Sequence, residues 1–250
     1  MFWRRILGRR EQRREPRFRT APGVRLYAIG DVHGRADLLT QVLAAVELDI
    51  GRCPGRRCIT VLLGDYVDRG PDSRSVIDTL VARVRTSETV CLMGNHELML
   101  QRFLADPELW DAWAPSGGIP TLVSYGIRPP LRTTPQQREQ LARDFAEALP
   151  RDHLSFLAGL PFSYESGDIF FVHAGIRPGT PIERQVPEDL TWIREDFLSF
   201  KGDFGRFVVH GHTPVEEPDL HSNRLNVDTG AYATGRLSCV VLEDEKLTFL

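Results

Sequence analysis

The 250-residue chain reads as an α/β protein built on two packed, mixed β-sheets flanked by helices. Three features lead there. In the first hundred residues, continuous apolar runs bounded by glycine alternate with amphipathic stretches, the pattern of strands buried on both faces and joined by helices. The turns after those runs are polar, and in open α/β sheets ligands bind at the carboxyl ends of the strands. From residue 162 the period changes to short strands, enough for a second sheet packed on the first.

Val24 to Ile29 is the first strand, followed by the turn Gly30-Asp31-Val32-His33-Gly34 and an amphipathic helix from Asp37 to Leu48. Strand 58–63 ends in Gly64-Asp65-Tyr66-Val67-Asp68-Arg69-Gly70, and a helix from Ser73 to Val84 follows, capped by Asp72 or Ser73. A third strand, 89–93, ends at Gly94-Asn95-His96-Glu97 before a helix from Leu98. This βαβαβ order places three polar turns along one edge of one sheet. Residues 104–160 break the rhythm. Trp110, Trp113 and Gly117-Gly118 precede helical patterns at 136–149 and 152–160, an insertion expected to be either a cap over the site or an accessory helical layer. Strands are then expected at 162–165, 169–172, 207–210, 225–227, 237–242 and from 247 onward. Two of them finish in polar turns, Val172-His173-Ala174-Gly175 and Val209-His210-Gly211-His212-Thr213.

A hydrophobic content of 42% supports a real core. No run approaches the roughly 18 uninterrupted apolar residues of a membrane span, and no signal peptide is visible, so a cytoplasmic enzyme is the expectation. Residues 21–250 form one catalytic domain carrying the 104–160 insertion. Residues 1–20 hold eight Arg against two Glu, a net +6, which leaves −9 on the remainder of a chain whose total is −3. The expectation is a solvated, disordered arm. Phe2, Trp3, Ile6 and Leu7 would also let it rest on an anionic membrane surface. Arginine outnumbers lysine 29 to 2 over the whole chain, so this run is partly background, and it makes no recognised nucleic-acid motif. Cys53, Cys58, Cys91 and Cys239 form no Cys-x-x-Cys pair, and no disulfide or cysteine nucleophile is expected.

The strand ends supply Asp31, His33, Asp65, Asp68, Arg69, Asn95, His96, His173, His210 and His212, with Arg194 further on. One aspartate in a glycine turn is ordinary turn chemistry, and a lone histidine after a strand is commonly structural. Five such turns on one edge are not. Imidazole, carboxylate and one amide without thiolate suit manganese, iron or zinc rather than calcium or a closed structural zinc site. The ligands outnumber what one ion needs, so two are implied, with Asp65 as the natural bridge.

Gly30-Asp31-Val32-His33-Gly34, Gly64-Asp65-Tyr66-Val67-Asp68-Arg69-Gly70 and Gly94-Asn95-His96-Glu97 resemble the three successive signatures of the phosphoprotein phosphatases, within the calcineurin-like metallophosphoesterase superfamily. His173-Ala174-Gly175 and Gly211-His212-Thr213 resemble its later histidine motifs. The resemblance implies the superfamily's four-layer fold and a bacterial serine/threonine protein phosphatase acting on phosphoserine and phosphothreonine proteins. It implies two divalent ions, Mn2+ by preference, with Asp31 and His33 on the first, Asp65 bridging, and Asn95, His173 and His212 on the second. His96 would be the general acid, oriented by Asp68, with Arg69 and Arg194 binding phosphate. Hydroxide generated between the ions would attack phosphorus in line with the leaving oxygen.

Pro214 stands where wider superfamily members carry a further ligand histidine. His210 either approaches the site or is a packed strand-end residue, His153 and His221 are expected at the surface, and Trp192 is read as a packing anchor. The rival activity is a symmetrical dinucleoside tetraphosphate hydrolase, with broad phosphomonoesterase activity as a further alternative. An acid at Asp68 and glutamate at Glu97 favour the protein phosphatase.

Overall fold

The computed structural model describes residues 18–250, so the arm expected at 1–20 lies outside it up to residue 17. The last residues of that stretch are part of the fold. Phe18 is buried and stacks on Phe207 at 4.9 Å, and Thr20 exchanges hydrogen bonds with Asp244 and gives one to the Val24 carbonyl.

Ten strands and ten helices follow in order. They are β1 (Val24–Ile29), α1 (Ala36–Gly51), β2 (Arg57–Leu62), α2 (Ser73–Thr86), β3 (Thr89–Cys91), α3 (Asn95–Ala105), α4 (Trp110–Trp113), α5 (Gly118–Ser124), α6 (Pro135–Ala148), α7 (Arg151–Ala158), β4 (Ser163–Ser166), β5 (Ile169–Val172), α8 (Pro187–Trp192), α9 (Glu195–Leu198), β6 (Phe207–His210), β7 (Asp219–Leu220), β8 (Arg224–Asn226), α10 (Ala231–Thr234), β9 (Cys239–Glu243) and β10 (Lys246–Phe249).

The first sheet has the order β10-β9-β1-β2-β3 and the second β4-β5-β6-β8-β7, each mixed. Strands β1, β2 and β3 run parallel, with Ile29 opposite Leu62 and Leu62 opposite Cys91, so the three turns behind them emerge side by side. In the second sheet β5, β6 and β8 run parallel and deliver the later histidine turns. The last two strands, consecutive with those of the second sheet in sequence, return to the first. β9 lies antiparallel to β1 and β10 to β9.

Alternation along each strand divides the apolar side chains among the three interfaces of a four-layer stack. Leu26, Ala28, Val61 and Leu63 meet Ile169, Phe171, Val209 and Leu225 between the sheets. Tyr27, Ile29 and Leu62 face helices on the outer side of the first sheet. Phe170, Val172 and Val208 pack on Leu190, Ile193 and Phe197 outside the second. Residues 104–160 fold as helices whose Trp110, Trp113, Leu122, Phe145 and Leu157 join the same apolar cluster as Leu39, Leu80 and Phe103. Helix α3 begins at Asn95, three residues earlier than the sequence suggests. Glu97 reaches back to the Gly94 N–H and so caps the helix start.

His153 corrects the surface expectation. It is buried between α2 and α5, donating from Nε2 to Asp78 and accepting the Tyr125 hydroxyl at Nδ1, each at 2.9 Å. His221 is exposed and pairs with Asp219.

Candidate metal centre

Asp31, His33, Asp65, Asn95, His96, His173 and His212 are all buried, and they converge from both sheets. The backbone that delivers them is strained. Among the described residues six non-glycine positions have positive φ, and five are site residues: His33, Asp65, Asp68, Arg69 and His212, at 44°, 53°, 71°, 67° and 66°. Left-handed backbone costs an L-residue roughly 1–2 kcal/mol. Its concentration here points to a selected function rather than to stability. Close packing makes two glycines necessary. A Cβ on Gly94 would overlap the Asp65 backbone and carboxylate, and one on Gly211 would strike the Asp31 carboxylate.

Hydrogen bonds fix most tautomers. His33 Nδ1–H donates to the Val67 carbonyl and His173 Nδ1–H to the Leu63 carbonyl, both at 2.9 Å, since a carbonyl can only accept. Each neutral ring therefore turns an Nε2 lone pair inward. His33 Nε2 stands 3.4 Å from Asp65 Oδ2. His173 Nε2 stands 3.4 Å from Asp65 Oδ1, 2.9 Å from Asn95 Oδ1 and 3.2 Å from His212 Nδ1. Burial pushes His33 down to about 3 and His212 to about 2, and lowers His173, so these rings are neutral at ordinary pH. Facing acceptors without intervening protons are unstable unless a cation sits among them, and neutral imidazole with carboxylate is the form that binds metals.

Two ligand clusters result. One brings together His33, Asp65 and the edge of His96, the other Asp65, His173 and His212; Asp65 belongs to both, and Asp31 stands outside them. Burial works to raise the Asp65 carboxyl, but in acid, where the surrounding imidazoles become charged, their attraction holds it well below the ordinary carboxylate value. Asp31 accepts the His212 backbone N–H, and burial, then the charges of Asp228 and Asp65, raise its carboxyl well above the usual value. So much uncompensated anionic and lone-pair density in a buried cleft fits divalent cations.

His96 has a different setting. Its Nδ1–H donates to Asp68 Oδ2 at 2.8 Å, while Nε2 is 3.9 Å from Asp65. Burial lowers the imidazole, but Asp65 and Asp68 outweigh it and the net shift is upward. Asp68 is fully buried and also accepts from Trp113 Nε1 at 2.9 Å and Thr121 Oγ1 at 2.7 Å. Both partners come from the 104–160 helices, whose Gly117 carbonyl accepts the Arg69 N–H. Arg194 is exposed, and its charge acts on His173 and His212.

Sequence reasoning missed three contributions. Glu97 Oε2 accepts from the backbone N–H of Asp65 and Gly94, and Oε1 from Tyr66 and Val67, so one carboxylate holds the whole metal turn. Burial and the Asp65 charge push it up to about 8, against the pull of these N–H groups. Trp113 and Thr121 brace Asp68 from a segment with no motif of its own. Asp228 is buried beside Asp31 two residues past β8, and that short strand, Arg224-Leu225-Asn226, is too polar to announce it as the runs before Asp31 and Asp65 do. His210 stays out of the site. It donates to the Gly211 carbonyl, accepts from Arg224 and packs edge-on against Phe197, and burial with Arg224 pushes it down to about 3. Trp192 packs edge-on against His212 with ring centres 6.1 Å apart.

The four layers and the Asp65-centred ligand clusters define a phosphoester hydrolase built for two metals. The chain belongs to the calcineurin-like phosphoesterase family, which matches residues 24–240. It is 30% identical over 234 residues to the bis(5'-nucleosyl)-tetraphosphatase PrpE, asymmetrical, of Anoxybacillus flavithermus, covering 85% of this chain and 88% of that one. It is 31% identical to the symmetrical bis(5'-nucleosyl)-tetraphosphatase of an Acidovorax strain, covering 82% of this chain and 64% of that one. Among solved structures, a proposed diadenosine tetraphosphatase superposes with a TM-score of 0.63 at 20% identity, covering 94% of this chain and 98% of that one, a likeness of fold. These relatives are named tetraphosphatases rather than protein phosphatases. Glu97 anchors the metal turn, a duty that ester and anhydride hydrolysis both require, and so does not report the substrate. Among the described residues no helix is long and apolar enough to cross a membrane.

Proposed function

We propose that the chain is a metal-dependent hydrolase of dinucleoside tetraphosphates, cleaving a phosphoanhydride bond. The observation that carries this reading is the likeness to tetraphosphatases along nearly the whole fold. Asp31, His33 and Asp65 would hold one divalent cation, and Asp65, Asn95, His173 and His212 the second. Mn2+ suits this mixture best, and iron or zinc are compatible with it. When bound, such a pair lowers the pKa of water enough to supply hydroxide near neutral pH. Arg69 and Arg194 would bind phosphoryl oxygens, guanidinium matching two oxygens at once. His96, held by Asp68, delivers a proton to the leaving oxygen.

A phosphoprotein phosphatase is the second reading, and the His96–Asp68 pair favours it. A serine alkoxide cannot leave without a proton, whereas a nucleotide phosphate can. The deciding experiment compares the Mn2+-loaded full chain on diadenosine tetraphosphate and on a phosphothreonine peptide. Preference for the dinucleotide is expected. Two ADP would mark symmetrical cleavage, and ATP with AMP asymmetrical cleavage. A strong preference for the peptide would reverse the assignment.

A further inference from the structure

Arg69 stands apart from the other arginines that are sheltered from solvent. Arg25, Arg35, Arg83, Arg138 and Arg224 are buried or half-buried, and each meets a carboxylate. Arg69 is half-buried and, among the described residues, meets none. Its guanidinium instead lies over the ring of Tyr232, 4.9 Å from the centroid. Tyr232 is 40% exposed, an unusual place for a large aromatic side chain in this fold. Its ring also stands edge to face with His33 at 5.4 Å.

The segment that carries Tyr232 is held firmly. It opens at Gly230 (φ 64°), whose N–H donates to Asp228. Thr229 Oγ1 donates to the Arg236 carbonyl, Thr234 Oγ1 to the Thr229 carbonyl, and Arg35 to the Ala231 carbonyl. Four hydrogen bonds thus fix a short turn whose projecting side chain is an aromatic ring between a phosphate-seeking arginine and a metal-seeking histidine.

We propose that Tyr232 is a positioning residue that aims Arg69 at the phosphoryl group. The ring face holds the guanidinium by cation–π attraction without neutralising it, as a carboxylate would, so the full charge and all five donors stay available to the substrate. A long flexible side chain without such a support would lose rotamer freedom on binding, and the ring removes part of that cost in advance. The inference builds on Arg69 as a phosphate ligand and is independent of which phosphoester is the natural substrate.

The test is calorimetric titration of inorganic phosphate into the Mn2+-loaded full chain, with Mn2+ affinity measured alongside. Tyr232→Phe, which keeps the ring, should bind phosphate as the parent does. Tyr232→Ala should weaken it about fivefold, the size expected of a partly exposed cation–π contact, with Mn2+ affinity unchanged. In an Arg69→Ala background, Tyr232→Ala should have no further effect. The proposal is overturned if the parent does not bind phosphate or if Phe is as weak as Ala. It also fails if Ala binds normally, if the Ala effect persists without Arg69, or if the loss follows Mn2+ affinity, which would place the ring's action on His33. Failure to cleave diadenosine tetraphosphate would overturn the proposed function and leave these results standing.

Discussion

The indole N–H of Trp113 donates to Asp68 Oδ2 at 2.9 Å, the same oxygen that accepts from His96 Nδ1 at 2.8 Å. A residue from a helical insertion therefore sets the orientation of the proposed acid. Asp68 is buried, and among the described residues its carboxylate accepts from these two donors and from Thr121. Such hydrogen bonds to a charged acceptor contribute about 1.5–3 kcal/mol each. Trp113→Phe should lower stability by about 2 kcal/mol in urea unfolding and reduce turnover several-fold, with Mn2+ binding retained. An unchanged rate would show that Asp68 needs no brace.

His96→Ala should separate substrates by leaving group. Positioned general acids contribute about 10²–10⁴-fold, so hydrolysis of an alkyl phosphate should fall by that order. A nitrophenolate leaves unprotonated, and hydrolysis of p-nitrophenyl phosphate should fall far less. Equal losses on both would remove His96 from the role of acid.

Glu97→Gln keeps size and replaces one accepting oxygen with a donor group. Each carboxylate oxygen accepts two backbone N–H groups. An amide offers one oxygen, so two buried donors would face an NH2 group. An unsatisfied buried donor costs about 1–3 kcal/mol, and the variant should be about 3 kcal/mol less stable and bind Mn2+ more weakly. Parental stability in unfolding titrations would mean that the turn holds itself.

The parts of this fold that were legible in the sequence are those written in short range. Gly-bounded apolar runs announce β1, β2 and β3, and the acids and histidines after them declare one functional edge. The illegible parts depend on distant partners. Nothing near Cys239 says that β9 pairs with β1 rather than with the preceding strands, because pairing is decided by which sheet has a free edge. Trp113 and Thr121 read as core residues, and only their approach to Asp68 gives them a part in the site. His153 looked superficial because its partners, Asp78 and Tyr125, are 75 and 28 residues away in the chain.

Metal binding should be visible as stability. A ligand that binds only the folded chain stabilises it by about 2.7 kcal/mol at a hundred times its Kd, so Mn2+ should raise Tm and a chelator should reverse the rise. Asp65 belongs to both ligand clusters. Asp65→Asn should therefore remove most of the Mn2+-dependent rise and nearly abolish hydrolysis. Two equivalents of Mn2+ on the Asn variant would show that Asp65 is not shared.

Acid stability should report on Asp49. Burial acts to raise its carboxyl, but hydrogen bonds from Arg25 and Tyr27 outweigh it, and the folded value lies below 3.8. A group with a depressed folded value gives its full stabilisation above the unfolded value and loses it as pH falls through the folded one. Stability at neutral pH thus includes this contribution, which fades below about pH 4. Asp49→Asn should lower stability at pH 7 and flatten the decline on acidification. An unaltered slope would place the titrating groups elsewhere.

The part that residues 18–20 play in the fold can be tested by truncation. Phe18 is buried on Phe207 between the layers, and Thr20 ties the chain to Asp244. Removing residues 1–17 should leave Tm and phosphoester turnover unchanged if that stretch serves only as an address or tail. Removing residues 1–20 also strips the Phe18 ring from the core, and losing a buried phenylalanine costs about 3–5 kcal/mol. Tm should fall accordingly while the metal centre, on the far ends of the strands, keeps its ligands. Equal Tm values for the two truncations would deny residues 18–20 a part in stability, and loss of turnover in the shorter truncation would give residues 1–17 a part in catalysis.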